Sequence, residues 1–146
     1  MPGAKPGTAG IDRPGRECYA DGMDHAPGFL RLVESARARI REVSIDDVRA
    51  MQQAAENFHL LDVREQDEWG RGHLPGARHL GKGIIERDIE RTIPDRAAPI
   101  VLYCGGGYRS ALAADALREM GYTRVASMWG GWRAWTEAGL PVTRDG

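Results

Sequence analysis

One stretch constrains the fold of this chain more than any other. The apolar run Ile100 to Tyr103 leads into Cys104, three consecutive glycines, Tyr108, Arg109 and Ser110, and then into a helical run from Ala111 to Met120. An apolar run followed at once by a tight turn and a helix is the strand, loop and helix of a parallel α/β unit. Three glycines let the backbone take positive φ, so that successive N–H groups can turn toward one centre. The loop then opens a helix, whose first N–H groups are unpaired and carry partial positive charge, and Arg109 adds a full charge with forked donors. The result is an anion cradle around a cysteine. Such surroundings favour the thiolate over the thiol, whose free pKa is ~8.5, and make Cys104 the candidate nucleophile. The competing reading, a buried structural cysteine beside a flexible turn, leaves the glycines and the arginine unexplained.

Loop length separates the chemistries open to such a cysteine. A phosphatase of the Cys-x5-Arg kind needs its arginine at the position of Ser110, whereas here it stands one position earlier, at Arg109. A smaller ring of amides suits a single sulfur carried on the cysteine as a persulfide, its negative charge shared among several N–H donors.

Four blocks in order carry a resemblance to the rhodanese-like family over about Arg41 to Val142. They are Leu60-Leu61-Asp62-Val63-Arg64-Glu65, Gly72-His73-Leu74-Pro75-Gly76-Ala77, Val101-Leu102-Tyr103-Cys104 with its loop to Arg109, and Gly130-Gly131-Trp132-Arg133-Ala134-Trp135. The resemblance implies that Cys104 forms the persulfide and that Gly105, Gly106, Gly107, Tyr108, Arg109 and Ser110 supply the cradle and bind substrate. Its six-residue loop resembles the sulfurtransferase branch rather than the longer-loop phosphatase or arsenate reductase branch. Gly105 and Gly106 depart from the family's pattern, where these positions are often larger or polar. The implied reaction is transfer of a sulfane sulfur from a small-molecule donor such as thiosulfate to cyanide, a thiol or a protein acceptor. The alternatives are a carrier module in a sulfur relay that works only with a protein partner and, behind it, a phosphatase or arsenate reductase. No cofactor is implied.

Composition bounds the rest. A chain of 146 residues with 42% hydrophobic content has room for one domain with a true core and an extension, not for a second domain. A net charge of -1 gives no reason to expect nucleic acid or a membrane surface as partner. The two cysteines, Cys18 and Cys104, make no disulfide framework, and pairing them would consume the nucleophile, so a reducing, cytoplasmic location is expected. Cys18 reads as incidental. The four histidines, His25, His59, His73 and His79, lack ligand spacing beside cysteine, and no metal site is expected.

Three regions are expected: a loosely ordered tail over 1–24, an amphipathic helical extension over 25–41 and the domain proper over 42–146. The tail is rich in glycine and proline and has no apolar run long enough for a signal peptide; Met23 makes a start-site extension conceivable. In the extension Phe29, Val33, Ala36 and Ile40 share one face, with Arg31, Glu34, Arg37 and Arg41 on others, as in a brace packed on the domain or on another subunit. Beyond it strands and helices alternate. Ser44 and Asp47 cap a helix to about Ala54, and strands are expected at Phe58 to Val63, Gly76 to Leu80, Ile100 to Tyr103 and Val125 to Met128. Helices are expected at Glu65 to Gly70, Ile84 to Thr92, Ala111 to Met120 with Leu112, Ala116, Leu117 and Met120 apolar, and Trp132 to Ala138. The fold class is therefore α/β, a mostly parallel sheet with helices on both faces and an N-terminal helical extension.

Outlying residues have two readings each. Asp62 and Arg64 end a strand on the side where Cys104 emerges, and either support the loop and an anionic substrate or pair with each other to fix the strand end. His73 is expected to hydrogen-bond the turn before Pro75, Trp129 to line the pocket mouth, and Tyr108 to shape access to the loop.

Overall fold

The computed structural model describes residues 25–144, so the tail over 1–24, with Cys18 and Met23, lies outside the described residues. In chain order the elements are α1 (Pro27–Arg37), β1 (Arg41–Val43), α2 (Ile45–Gln53), β2 (His59–Asp62), α3 (Gln66–Gly70), β3 (Arg78–His79), α4 (Ile85–Thr92), β4 (Ile100–Tyr103), α5 (Tyr108–Glu119), β5 (Val125–Met128) and α6 (Gly131–Glu137). The strands form one parallel sheet in the order β1-β5-β4-β2-β3. Because β4 lies at the centre, the residue that follows it emerges at the middle of the sheet's carboxyl edge, where open α/β sheets carry their ligands.

Alternation along the strands divides the core in two. Leu61, Ile100 and Leu102 face Ile85 and Ile89 of α4 and Ala113, Ala114 and Leu117 of α5. Leu60, Val101 and Tyr103 face Val48 of α2 and Trp135 of α6. Each fully buried aliphatic side chain here contributes about 1.5–3 kcal/mol.

Most expected elements are present. Ser44 and Asp47 form the capping box, with Asp47 N–H donating to Ser44 Oγ (3.0 Å) and Ser44 N–H to Asp47 Oδ2 (2.9 Å). Gly121, at φ +98°, follows the end of α5. Four readings need correction. Residues 41–43, taken as the junction between extension and domain, form an edge strand against β5; three residues are too few for a periodic signal. Helix α5 starts at Tyr108 rather than Ala111, so Tyr108, Arg109 and Ser110 are its first turn and the loop proper is Gly105 to Gly107. Its buried positions are Ala111, Ala113, Ala114 and Leu117, while Leu112 and Ala116 are only partly covered, because α5 is packed on α1 as well as on β4 and β5 and its covered surface is not one apolar stripe. Arg37, expected off the apolar face of α1, is buried, with its Nε donating to Glu42 (3.3 Å) and its guanidinium 4.9 Å from the centre of the Tyr108 ring.

The turn between β5 and α6 grips the loop after β4. Gly130 N–H donates to Gly106 O (3.2 Å), Trp132 N–H to Cys104 O (2.8 Å) and Arg133 N–H to Gly105 O (2.9 Å). This approach requires glycine at 131, where φ is +54° and a Cβ would stand 2.3 Å from Cys104 O and 2.8 Å from Gly105 O. Gly139 has a similar φ of +73° but open space around it. Gly139→Ala is therefore expected to cost the left-handed conformation alone, about 1–2 kcal/mol, and Gly131→Ala at least about 3 kcal/mol, because overlap with backbone is added. Urea denaturation of the two variants checks this; equal costs would remove the close approach as the reason for glycine.

Candidate active site

Cys104 follows the last residue of β4 and is 1% exposed. Gly107 N–H donates to its Sγ at 3.1 Å and Ser110 N–H at 3.3 Å. The thiol also reaches Ser110 Oγ at 3.5 Å, and that hydroxyl is fixed by Ser127 Oγ of β5 at 2.8 Å. The convergence follows from the local sequence. Gly107, at φ +104°, reverses the chain against Trp129, whose Cα would lie 3.0 Å from any Cβ there, and so directs its own N–H and the first turn of α5 back at the sulfur.

Arg109 lies in that first turn, paired with Glu68 of α3 through Nη1 to Oε1 (2.9 Å) and Nη2 to Oε2 (3.2 Å). Burial opposes charge on Arg109, but Glu68 and the Cys104 sulfur outweigh it and raise the guanidinium above its ordinary range. Burial likewise opposes ionisation of Glu68, and the Arg109 bonds with the Glu65 N–H (2.8 Å) overcome it, holding the carboxyl below the usual range. A Cβ at Gly105 would stand 3.1 Å from Arg109 Nη2, close enough that the guanidinium would shift by a few tenths of an ångström.

The loop floors a cleft of about 700 Å³ lined by Cys104, Gly105, Gly106, Tyr108 and Arg109, with Glu68, Trp132, Arg133 and Thr136 opposite and His25 and Phe29 from the segment before and within α1. Gly107 and Ser110 touch the sulfur from beneath. Tyr108 lies at the cleft, and Trp132, not Trp129, forms the indole wall, because the turn at Gly130 and Gly131 carries the chain across the loop before the next tryptophan. Asp62 and Arg64 stand behind the site. They form a buried pair at 2.7 Å, Arg64 also donates to Gly72 O (2.6 Å), and its guanidinium lies 4.6 Å from the centre of the Trp132 ring. Their contact with the cleft runs through Trp132. His73 sits in its turn, stacked on Trp69 at 3.5 Å, with Nδ1 3.2 Å from Leu74 O and backbone bonds to Thr143. Among the described residues no group of three His, Cys, Asp or Glu could hold a metal ion.

Sequence reasoning passed over Glu68, Trp132, Arg133, Thr136, His25 and Phe29 as cleft residues. Glu68 carries a faint signal as the third residue of α3, where its carboxylate caps Glu65; its reach across 41 positions to Arg109 does not show in one dimension.

A central parallel sheet, one cysteine at its carboxyl edge and two amides converging on its sulfur place the chain in the α/β class with a candidate thiol site. Comparison places it further: the rhodanese-like domain matches residues 44–138, and the chain belongs to that family. It is 31% identical over 103 residues to a sulfurtransferase of Allochromatium vinosum, covering 70% of this chain and 94% of that one. It is 32% identical over 72 residues to the thiosulfate sulfurtransferase PspE of Escherichia coli, covering 49% and 69%. Among solved structures, a Rhodopseudomonas palustris protein of unknown function, described as a possible tyrosine phosphatase, superposes with a TM-score of 0.74 at 29% identity, over 84% of this chain and all of that one. The match spans only 51% of the length of one further curated relative and 59% of another. No helix among the described residues is long and apolar enough to cross a membrane.

The Glu68 pair gives a prediction about pH. Because the folded carboxyl is held below its unfolded range, its contribution to stability is fully present above that range and is lost as pH falls from there through the lower folded value. Glu68→Gln is expected to destabilise the protein at neutral pH by about 1 kcal/mol or less, as for a part-exposed pair, with the difference closing in acid. Thermal melts of both proteins from neutral pH into the carboxylate range check this; a difference independent of pH would show that Glu68 acts through packing alone.

Proposed function

We propose that this protein transfers sulfane sulfur through a persulfide on Cys104, with thiosulfate as one donor. The Cys104 thiolate attacks the outer sulfur of the donor; a sulfur–sulfur bond to Cys104 forms, the bond in thiosulfate breaks, and its electron pair leaves with sulfite. An acceptor nucleophile, whether cyanide, a small thiol or a protein thiol, then takes the outer sulfur and restores the thiolate. Arg133, with Arg109 held in its pair with Glu68, gives the cleft a net positive side that favours an anionic donor, and the amides of the loop and of the first turn of α5 stabilise the anionic persulfide. The observation that carries the reading is the convergence of the Gly107 and Ser110 N–H groups on the Cys104 sulfur at the floor of an open cleft. Family membership and the names of the sulfurtransferase relatives agree with it. A nucleophilic thiol that must stay reduced suits a reducing compartment, which makes the cytoplasm the proposed location.

Phosphate-ester hydrolysis is the rival that the Rhodopseudomonas palustris neighbour brings forward. The arginine one position early and filled by Glu68 argues against a cradle sized for a phosphoryl group. Turnover of thiosulfate with cyanide, measured beside hydrolysis of an aryl phosphate, separates the two. Wild type is expected to transfer sulfur and Cys104→Ser to fall to the uncatalysed rate, with phosphate hydrolysis at background in both. Sulfur transfer surviving in Cys104→Ser, or Cys104-dependent phosphate hydrolysis without sulfur transfer, would overturn the assignment.

A further inference from the structure

At the amino edge of the sheet, away from the Cys104 loop, a second cleft of about 690 Å³ opens beside α2, within the range of ~300–1,000 Å³ that holds organic ligands. It lies where the strands begin. Arg41 opens β1, Arg124 precedes β5 and Phe58 stands just before β2. Arg41 pairs in register with Ala126, which pairs in turn with Val101 of β4. Because side chains alternate along a strand, Arg124 shares the face of Ala126, so the two arginines stand on neighbouring strands of one face. Toward the carboxyl edge that face is sealed by Val48 of α2 and Trp135 of α6. At the amino edge its floor is Val101, Ala126, Met51 and Phe58, the last two half-buried.

Charge on the walls selects the occupant. Several exposed arginines of this chain have carboxylate partners: Arg39 and Arg118 share Asp115, and Arg87 and Arg91 share Asp88. Among the described residues Arg41 and Arg124 have neither an ion pair nor a hydrogen bond. Two guanidinium groups left without a counterion above an apolar floor favour an anion, and their forked donors match a carboxylate. The remaining walls limit how much negative charge fits. Asp47 lines the cleft with one carboxylate oxygen taken by Ser44 N–H (2.9 Å), and Glu56 lines it beyond the end of α2. A polyphosphate or a dicarboxylate would set its further charge against these two acids.

We infer that this second cleft binds a small organic carboxylate with one negative charge and an apolar body, the carboxylate meeting Arg41 and Arg124 and the body lying along Met51, Phe58, Val101 and Ala126. It shares no lining residue with the Cys104 cleft, so the inference stands whatever chemistry Cys104 performs.

Isotope-labelled full-length protein is titrated with octanoate while its amide NMR signals are followed, and in parallel with acetate, which lacks the body, and octanamide, which lacks the charge. Octanoate is expected to shift the signals of Arg41, Met51, Phe58, Val101, Arg124 and Ala126 and to saturate. Acetate and octanamide are expected to bind more weakly by about ten-fold or more, through loss of the buried chain and of the charge-assisted contacts respectively. Arg41→Gln and Arg124→Gln are each expected to weaken octanoate by about ten-fold. Arg78→Gln, which replaces an exposed arginine of β3 outside the cleft, leaves the affinity unchanged. Arg41 and Arg124 are exposed, so both glutamine variants are expected to fold, and Arg124→Lys, which keeps the charge without the fork, falls between wild type and Arg124→Gln. Octanamide binding as tightly as octanoate, or an affinity unchanged in both glutamine variants, overturns the inference. So does a titration with no saturable shift, or with shifts confined to the Cys104 cleft.

Discussion

Everything at this site depends on three hydrogen bonds that do not touch the sulfur. The N–H groups of Gly130, Trp132 and Arg133 take up the carbonyls of Gly106, Cys104 and Gly105. Since the N–H and C=O of a peptide unit point in opposite directions across a rigid plane, carbonyls claimed on the outside leave amides for the inside. The loop would otherwise be free to turn an oxygen toward the sulfur, which would repel a thiolate or a persulfide. Glycine at 131 is the condition for this grip, and Gly107 supplies the reversal that aims two amides at Cys104. The cradle is thus the work of two glycine-containing segments, one after β4 and one after β5, brought side by side because those strands are neighbours in the sheet.

Charge is layered around this frame. The buried Asp62 and Arg64 pair lies behind Trp132, and breaking such a pair generally costs more than making it gains, so it acts as a fixed support for the indole wall. Arg109 stands closer to the sulfur and is balanced by Glu68, which holds the guanidinium at the cleft in a defined pose rather than leaving it to sweep through solvent. An anionic donor entering the cleft therefore meets a cation whose position is already set, which lowers the ordering cost of binding.

Much of this could be read from the chain alone, and the reasons are physical. The strands β4 and β5 appear at their expected residues because each is a short apolar run closed by glycine or a polar turn, and Cys104 stands out because three glycines and an arginine beside a cysteine have few uses other than holding negative charge. The Asp62 and Arg64 pair was one of two open readings, and only coordinates could choose, since the same residues two apart serve either role. What stayed hidden is what depends on distance in sequence. Glu68 meets Arg109 across 41 positions, and Phe29 and His25 reach a loop some eighty residues away because α1 packs on α5. Periodicity gave α1 an apolar face but not the fact that Arg37 would share it, because its burial rests on a ring, Tyr108, supplied by another element. The edge strand β1 was missed because three residues cannot display a period.

The most direct test of the account is the mass of the protein itself. Reduced, desalted full-length chain is weighed intact before and after thiosulfate, beside Cys104→Ser, and the modified peptide is located after digestion. Wild type alone is expected to gain one sulfur atom, mapped to Cys104 and reversed by cyanide. No gain on a demonstrably reduced thiol, with polysulfide as well as with thiosulfate, or a gain that persists in Cys104→Ser, would contradict it.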